Sequence, residues 1–132
     1  MERPRVLLVD DTPEIIEYYG ELLNADSYDI VGAAPNAVVA LGMVRETKPQ
    51  VVLLDISMPG MNGIELARRL RAAGCHAAII FVSSDDGLAT EAMGAGGSAF
   101  VSKNLIASGL RVAIREVLAG RRFIAVWPEN KS

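Results

Sequence analysis

Val51-Val52-Leu53-Leu54-Asp55-Ile56-Ser57-Met58-Pro59-Gly60 is the stretch that decides the fold. Four consecutive apolar residues read as a strand buried on both faces, because a half-exposed strand would alternate apolar with polar. A carboxylate closes that strand, and Pro-Gly turns the chain soon after it. Other apolar runs end in a similar way. Val6-Leu7-Leu8-Val9 runs into Asp10-Asp11, Ala77 to Val82 runs into Ser83-Ser84, and Lys103 follows Ala99-Phe100-Val101. Each polar group sits just past the carboxyl end of a predicted strand, where open α/β sheets place their ligands.

Strand-like and helix-like runs alternate outward from this stretch. Strands are predicted at about 5–9, 28–34, 51–54, 77–82 and 99–102, and helices at about 13–25, 36–47, 63–73, 86–94 and 106–119. Alternation of this kind gives βαβ units, hence an α/β fold with a doubly wound, five-stranded parallel sheet and five surrounding helices. Tyr28-Asp29-Ile30-Val31 is more mixed than the other strands, as suits an edge. Thr12 is placed to cap the first helix, with Pro13 at its first position. Asn62 and Glu65 have capping-box spacing before the third helix, and Gly74 stands where a C-terminal glycine belongs. Gly87, Gly94, Gly96 and Gly97 surround or enter the fourth helix, which is therefore expected to be short and mobile.

One domain is expected from 132 residues, occupying 1–125 with a tail over 126–132. Hydrophobic residues make up 51% and aromatics only 5%, so aliphatic side chains must fill the core. No apolar run approaches the ~20 residues of a membrane span, and the first residues lack an apolar signal region. A cytoplasmic protein without membrane contact is expected. The lone cysteine, Cys75, has no partner for an internal disulfide or a metal cluster. His76 beside it reads as a surface residue. The net charge of −3 does not suggest direct nucleic-acid contact. Charge is unevenly spread: residues 1–65 hold 4 Lys/Arg against 11 Asp/Glu, and residues 100–132 hold 6 against 2.

Carboxylates converging on one sheet edge repel one another unless a cation neutralises them or a pKa rises. Mg²⁺ suits the need, because it takes oxygen ligands and typically one or two carboxylates. With no His or Cys in the pattern, zinc is not the expected metal. An aspartate beside Mg²⁺ can act as a nucleophile toward phosphorus, while a lysine and a hydroxyl bind the equatorial oxygens.

Taken together, Asp10-Asp11, the block Asp55 to Gly63, Ser83 and Lys103 resemble the receiver domain of bacterial response regulators in two-component signalling. The likeness covers about residues 4–122. It implies a flavodoxin-like sheet of order 2-1-3-4-5. It implies that Asp55 accepts a phosphoryl group from a sensor histidine kinase or a phosphotransfer protein. Asp11, supported by Asp10, would hold Mg²⁺ with Asp55 and the backbone carbonyl of Ser57. Ser83 and Lys103 would bind the phosphoryl oxygens, and Phe100 matches the aromatic that swings inward when Ser83 engages them. The expected outcome is a phosphorylation-controlled switch that shifts the 84–115 surface, which binds a partner or forms a homodimer. Such a chain catalyses only its own phosphoryl transfer and dephosphorylation and is not otherwise an enzyme.

The sequence departs from the family pattern in places. Ser83 stands where Thr is common, which keeps the hydroxyl. Asn104, not Pro, follows Lys103. That feature and the ending Glu116 to Phe123 are similar to receivers that precede a helix-turn-helix domain, so contact with DNA is expected only through such a missing output domain. A phosphatase of the haloacid-dehalogenase type needs an aspartate two residues after the nucleophile, and Ser57 occupies that place. A protein-binding module working without phosphorylation remains the alternative. A nucleotide-binding reading fails, since the first strand opens into Asp10-Asp11-Thr12 and not a Gly-rich loop.

Overall fold

The computed structural model describes residues 2–25 and 27–127. Among them, parallel strands β1 (Arg5–Val9), β2 (Asp29–Ala34), β3 (Val51–Asp55), β4 (Ala78–Ser83), β5 (Ala99–Ser102) and β6 (Phe123–Ala125) form one sheet of order β2-β1-β3-β4-β5-β6. Helices α1 (Pro13–Leu22), α2 (Ala37–Thr47), α3 (Gly63–Ala72), α4 (Ala89–Gly94) and α5 (Ile106–Leu118) connect them, with 3₁₀ turns at Asp86–Leu88 and Lys103–Leu105.

Pleating sorts the apolar side chains onto two faces, because successive residues of a strand point to opposite sides. Leu7, Val9, Val52, Leu54, Ile79, Phe81 and Phe100 pack with α2, α3 and α4. Val6, Leu8, Val51, Leu53, Ile80, Val82, Ala99 and Val101 pack with α1 and α5. Both sides of β1, β3 and β4 are therefore filled, which is why their sequences run apolar without alternation. β2 lies at the edge and is only partly buried along most of its length.

The sheet extends one strand beyond the expected five. β6 pairs in parallel with β5 through Ala99–Phe123, Phe100–Ile124 and Val101–Ala125. Gly120, at φ +82, lies just past the end of α5, and the chain returns along β5. Three residues carry too little pattern to read as a strand. Of the expected tail, Val126 and Trp127 are described, and 128–132 lie outside the described residues.

Side-chain caps start α2 and α3 but not α1, α4 or α5, and the Glu65 carboxylate of the expected capping box pairs with Arg69. Asn36 and Asn62 accept the backbone N–H of Val39 and Glu65, each at 2.9 Å. Thr12 occupies the cap position of α1, but its side chain does not cap. Its own N–H is instead held by Asp10 Oδ1 at 2.9 Å. α1 also ends at Leu22, short of residue 25.

The fourth helix is short, as expected, but the glycines after it mark close packing and not slackness. A Cβ on Gly97 would lie 2.8 Å from the Phe81 ring and 2.9 Å from the Ala92 carbonyl. Gly96 has φ +112 and lies against the Arg71 side chain. That guanidinium donates to the carbonyls of Gly96, Cys75 and Ala77, tying the end of α3 to the entries of β4 and β5. We predict that Gly97→Ala destabilises the fold by about 2 kcal/mol, the usual scale of overpacking. Thermal melts should show a drop of several degrees, and an unchanged midpoint would contradict this packing.

Candidate functional site

β1 and β3 lie side by side at the centre of the sheet, with Val9 opposite Leu54, so their carboxyl ends carry Asp10 and Asp55 to the same place. Carboxylate oxygens of Asp10, Asp11 and Asp55 lie within 4.8 Å of one another. Asp10 and Asp55 are buried, at 2% and 3% exposure, and Asp11 is exposed. Lys103 Nζ reaches Asp55 Oδ1 at 3.5 Å. The Ser57 N–H donates to the same oxygen at 3.3 Å.

Burial raises the Asp55 pKa to about 6, with a further push from Asp10, against the opposing pull of Lys103 and the Ser57 N–H. Asp10 is likewise pushed up by burial, despite the Thr12 N–H and Lys103. One Asp10 oxygen, Oδ2, is buried and has no hydrogen-bond donor among the described residues. A crowded all-oxygen set with an orphaned buried carboxylate oxygen fits a hard divalent cation such as Mg²⁺. No His or Cys joins the cluster.

Ser83 ends β4 on the neighbouring strand, where Asp55 pairs with Val82. It is buried, and its Oγ accepts the Asp85 N–H at 3.0 Å. By the pleat, Asp55 falls on the α1/α5 side of the sheet and Ser83 on the α4 side. Phe100 is fully buried beside Phe81 in the core on that α4 side, so its ring already faces inward. Cys75 and His76 precede β4, at the opposite end of the strands from the cluster.

Two residues matter here in ways that the sequence did not reveal. Gly63 opens α3, and a Cβ there would run into the Asp55 carbonyl oxygen. Its N–H donates to Ile56 O at 2.9 Å, folding the loop tightly under Asp55. The glycine is visible in the sequence, but its contact is made only in three dimensions. Tyr19 of α1 is fully buried, its hydroxyl lacks a partner among the described residues, and its pKa is driven up by burial and by Asp10 and Asp55. Nothing in the helical period distinguishes it from an ordinary core aromatic.

Comparison with known proteins shows the family and the fold. A family model described as the response regulator receiver domain matches residues 6–115. The chain belongs to that family. It is 35% identical to a two-component response regulator of the LuxR family from Aurantimonas sp. SI85-9A1, whose crystal structure superposes with a TM-score of 0.88 over 94% of this chain and 91% of that one. It is 33% identical over 124 residues to the response regulator GacA of Pseudomonas viridiflava, covering 92% of this chain and 58% of GacA. It is 42% identical over 104 residues to a protein-glutamate methylesterase/protein-glutamine glutaminase of a Nocardioides species, covering 75% of this chain and 28% of that protein. The chain thus spans from about a quarter to about three fifths of the curated relatives it matches. Among the described residues, no helix is long and apolar enough to cross a membrane.

The raised Asp55 pKa has a consequence for stability. The folded state holds this proton more tightly than the unfolded chain, so stability falls as pH rises from about 4 to about 6 and stays lowered above that. Asp55→Asn, which removes the charge and keeps the shape, should therefore be more stable than the parent at pH 8 in EDTA. The advantage should vanish below pH 4. Urea unfolding at both pH values tests this, and a destabilised Asn variant at pH 8 would contradict it.

Proposed function

We propose that this receiver domain is a phosphorylation-controlled switch in which Asp55 is the phosphoryl acceptor. The observation that carries the reading is the meeting of three carboxylates within 4.8 Å, with Lys103 at 3.5 Å from Asp55. Asp11, Asp55 and the Ser57 carbonyl, supported by Asp10, would hold Mg²⁺. That ion would supply charge neutralisation at the phosphoryl oxygens. An Asp55 oxygen bonds to phosphorus as the bond from phosphorus to the donor breaks, and the donor leaves with the electron pair. With its pKa near 6, Asp55 is mostly ionised at neutral pH and able to attack. Lys103 is close enough to pass from Asp55 to a phosphoryl oxygen, and the Ser83 hydroxyl can donate to another.

The donor would be a sensor histidine kinase or a phosphotransfer protein in the cytoplasm. Residues 1–125 would form the receiver unit, and the chain would act on no outside substrate. The 84–115 surface would carry the response to a partner or to a second copy. On α5 and the segment just after it, Arg111 donates to the Leu22 carbonyl at 3.0 Å, and Arg121 pairs with Glu116 at 2.7 Å. These two arginines are thus partly spent on internal contacts, which leaves more of the charged face to Arg115 and Arg122. A second reading, a binding module that works without phosphorylation, draws on Phe100, whose ring is fully buried in the core on the α4 side.

Incubation with acetyl phosphate and Mg²⁺ separates the two readings. Intact mass should rise by one phosphate in the parent and not in Asp55→Asn, since a neutral amide is a poor nucleophile. Full labelling of the Asn variant, or none of the parent, would overturn the assignment. Mg²⁺ alone should raise the melting temperature, because an ion at about 100 times its Kd adds about 2.7 kcal/mol. Asp11→Ala should remove most of that rise.

A further inference from the structure

The C-terminal segment is tied to the loop that leaves the site. Trp127 donates its backbone N–H to Asp86 Oδ2 at 2.8 Å, across 41 residues of sequence. Asp86 begins the 3₁₀ turn after β4, three residues past Ser83. Ser83 Oγ in turn holds the intervening Asp85, accepting its N–H at 3.0 Å. The Ser83 hydroxyl proton has only a long contact, 3.4 Å, to the Asp85 carbonyl. Asp85 then fixes the turn itself, with Oδ1 accepting the Gly87 N–H at 2.9 Å and its carbonyl accepting Leu88 N–H at 3.1 Å. One short loop thus joins the site hydroxyl to the far end of the described chain.

We propose that Asp86 is a latch that holds the C-terminal segment while Ser83 Oγ accepts the Asp85 N–H, and lets it go when Ser83 turns toward a phosphoryl group on Asp55. This rests on the phosphorylation reading above and extends it to a regulated segment. The hydroxyl proton of Ser83 is poorly engaged, so a phosphoryl oxygen beside Asp55 competes for it easily. Rotation of the Ser83 side chain toward that oxygen withdraws the acceptor from the Asp85 N–H. The turn carrying Asp86 then loses its anchor to β4.

The closed latch is poised and not locked. Asp86 Oδ2 makes a charge-assisted bond to Trp127, but Oδ1 is buried without a donor among the described residues. A buried carboxylate oxygen without a donor is unfavourable, and opening returns it to water. A small bias from Ser83 is enough to shift such a balance. What opens is the end of the sheet. β6 stops at Ala125, two residues before Trp127, and Ile124, Val126 and Trp127 are already exposed. Site occupancy would then control residues 126–127, the tether of whatever sequence follows them.

Trp127 is the only tryptophan, so its indole fluorescence and backbone amide report the latch directly. The full chain, labelled with ¹⁵N, is examined with and without Mg²⁺ and BeF₃⁻. On addition, the Ser83 and Lys103 amides should shift, the indole emission should change, and exchange protection of the Trp127 amide should fall roughly tenfold, the lower end for a hydrogen bond to a charged group. Asp86→Ala should show the low protection without ligand and no further loss with it. Asp86→Asn, which keeps an oxygen acceptor, should retain protection. Shifts at Ser83 and Lys103 with Trp127 unchanged would overturn the latch and leave the phosphorylation reading standing. Wild-type protection in Asp86→Ala would overturn it as well. No shift at Ser83 or Lys103 at saturating Mg²⁺ and BeF₃⁻ would overturn the phosphorylation reading and the latch together.

Discussion

Three carboxylates share the carboxyl end of this sheet with one nearby lysine, and the rest of the structure serves to keep them there. Left to themselves, like charges this close would separate or protonate. They cannot separate, because Asp10 and Asp55 are fixed by the register of β1 against β3, two fully buried strands. Gly63 lets α3 start hard against the Asp55 carbonyl, so the loop beneath has no room to relax. Protonation is the remaining escape, and the pKa values of Asp55 and Asp10 are raised, chiefly by burial and, at Asp55, also by the Asp10 charge. The cluster is therefore short of positive charge by construction, which makes it receptive to a divalent cation and then to the anionic group that the cation accompanies.

The pleat divides the labour around that cluster. Asp55 belongs to the α1/α5 side, where Lys103 arrives from the start of the segment leading into α5. Ser83 belongs to the other side, at the head of the loop leading into α4. A group bound to Asp55 and contacted by both would bridge the two faces of the sheet. Its effects would travel outward along the β4–α4 loop. That loop is held by the polar contacts of Ser83, Asp85 and Asp86 and by Leu88 against the core, whereas the strands around it have a filled core on both sides.

Much of this was legible in the sequence for a physical reason. Strands buried on both faces must be continuously apolar, so Val6–Val9, Val51–Leu54 and Ile79–Val82 announce themselves, and the polar residues closing them mark the site. Features made by contacts between distant residues were not legible. β6 is three residues long, and only pairing with β5 makes it a strand. The glycines at 96 and 97 read as weakness in the chain, yet they are the spaces that Arg71 and Phe81 occupy. Thr12 has the composition of a helix cap, but Asp10 claims its N–H. Proximity of Tyr19 to the acidic cluster depends on how α1 lies across the sheet, which no local pattern encodes.

The account turns on Asp55 being a carboxylate held at a charge deficit that a divalent cation relieves. The direct measurement is an NMR titration of the Asp55 side-chain carboxyl carbon, in EDTA and again in saturating Mg²⁺. The account predicts an apparent pKa near 6 without the metal and a fall of at least about one unit with it, the scale on which a neighbouring opposite charge acts. An Asp55 that titrates at the ordinary carboxylate value in both conditions, or whose raised value ignores Mg²⁺, would contradict it.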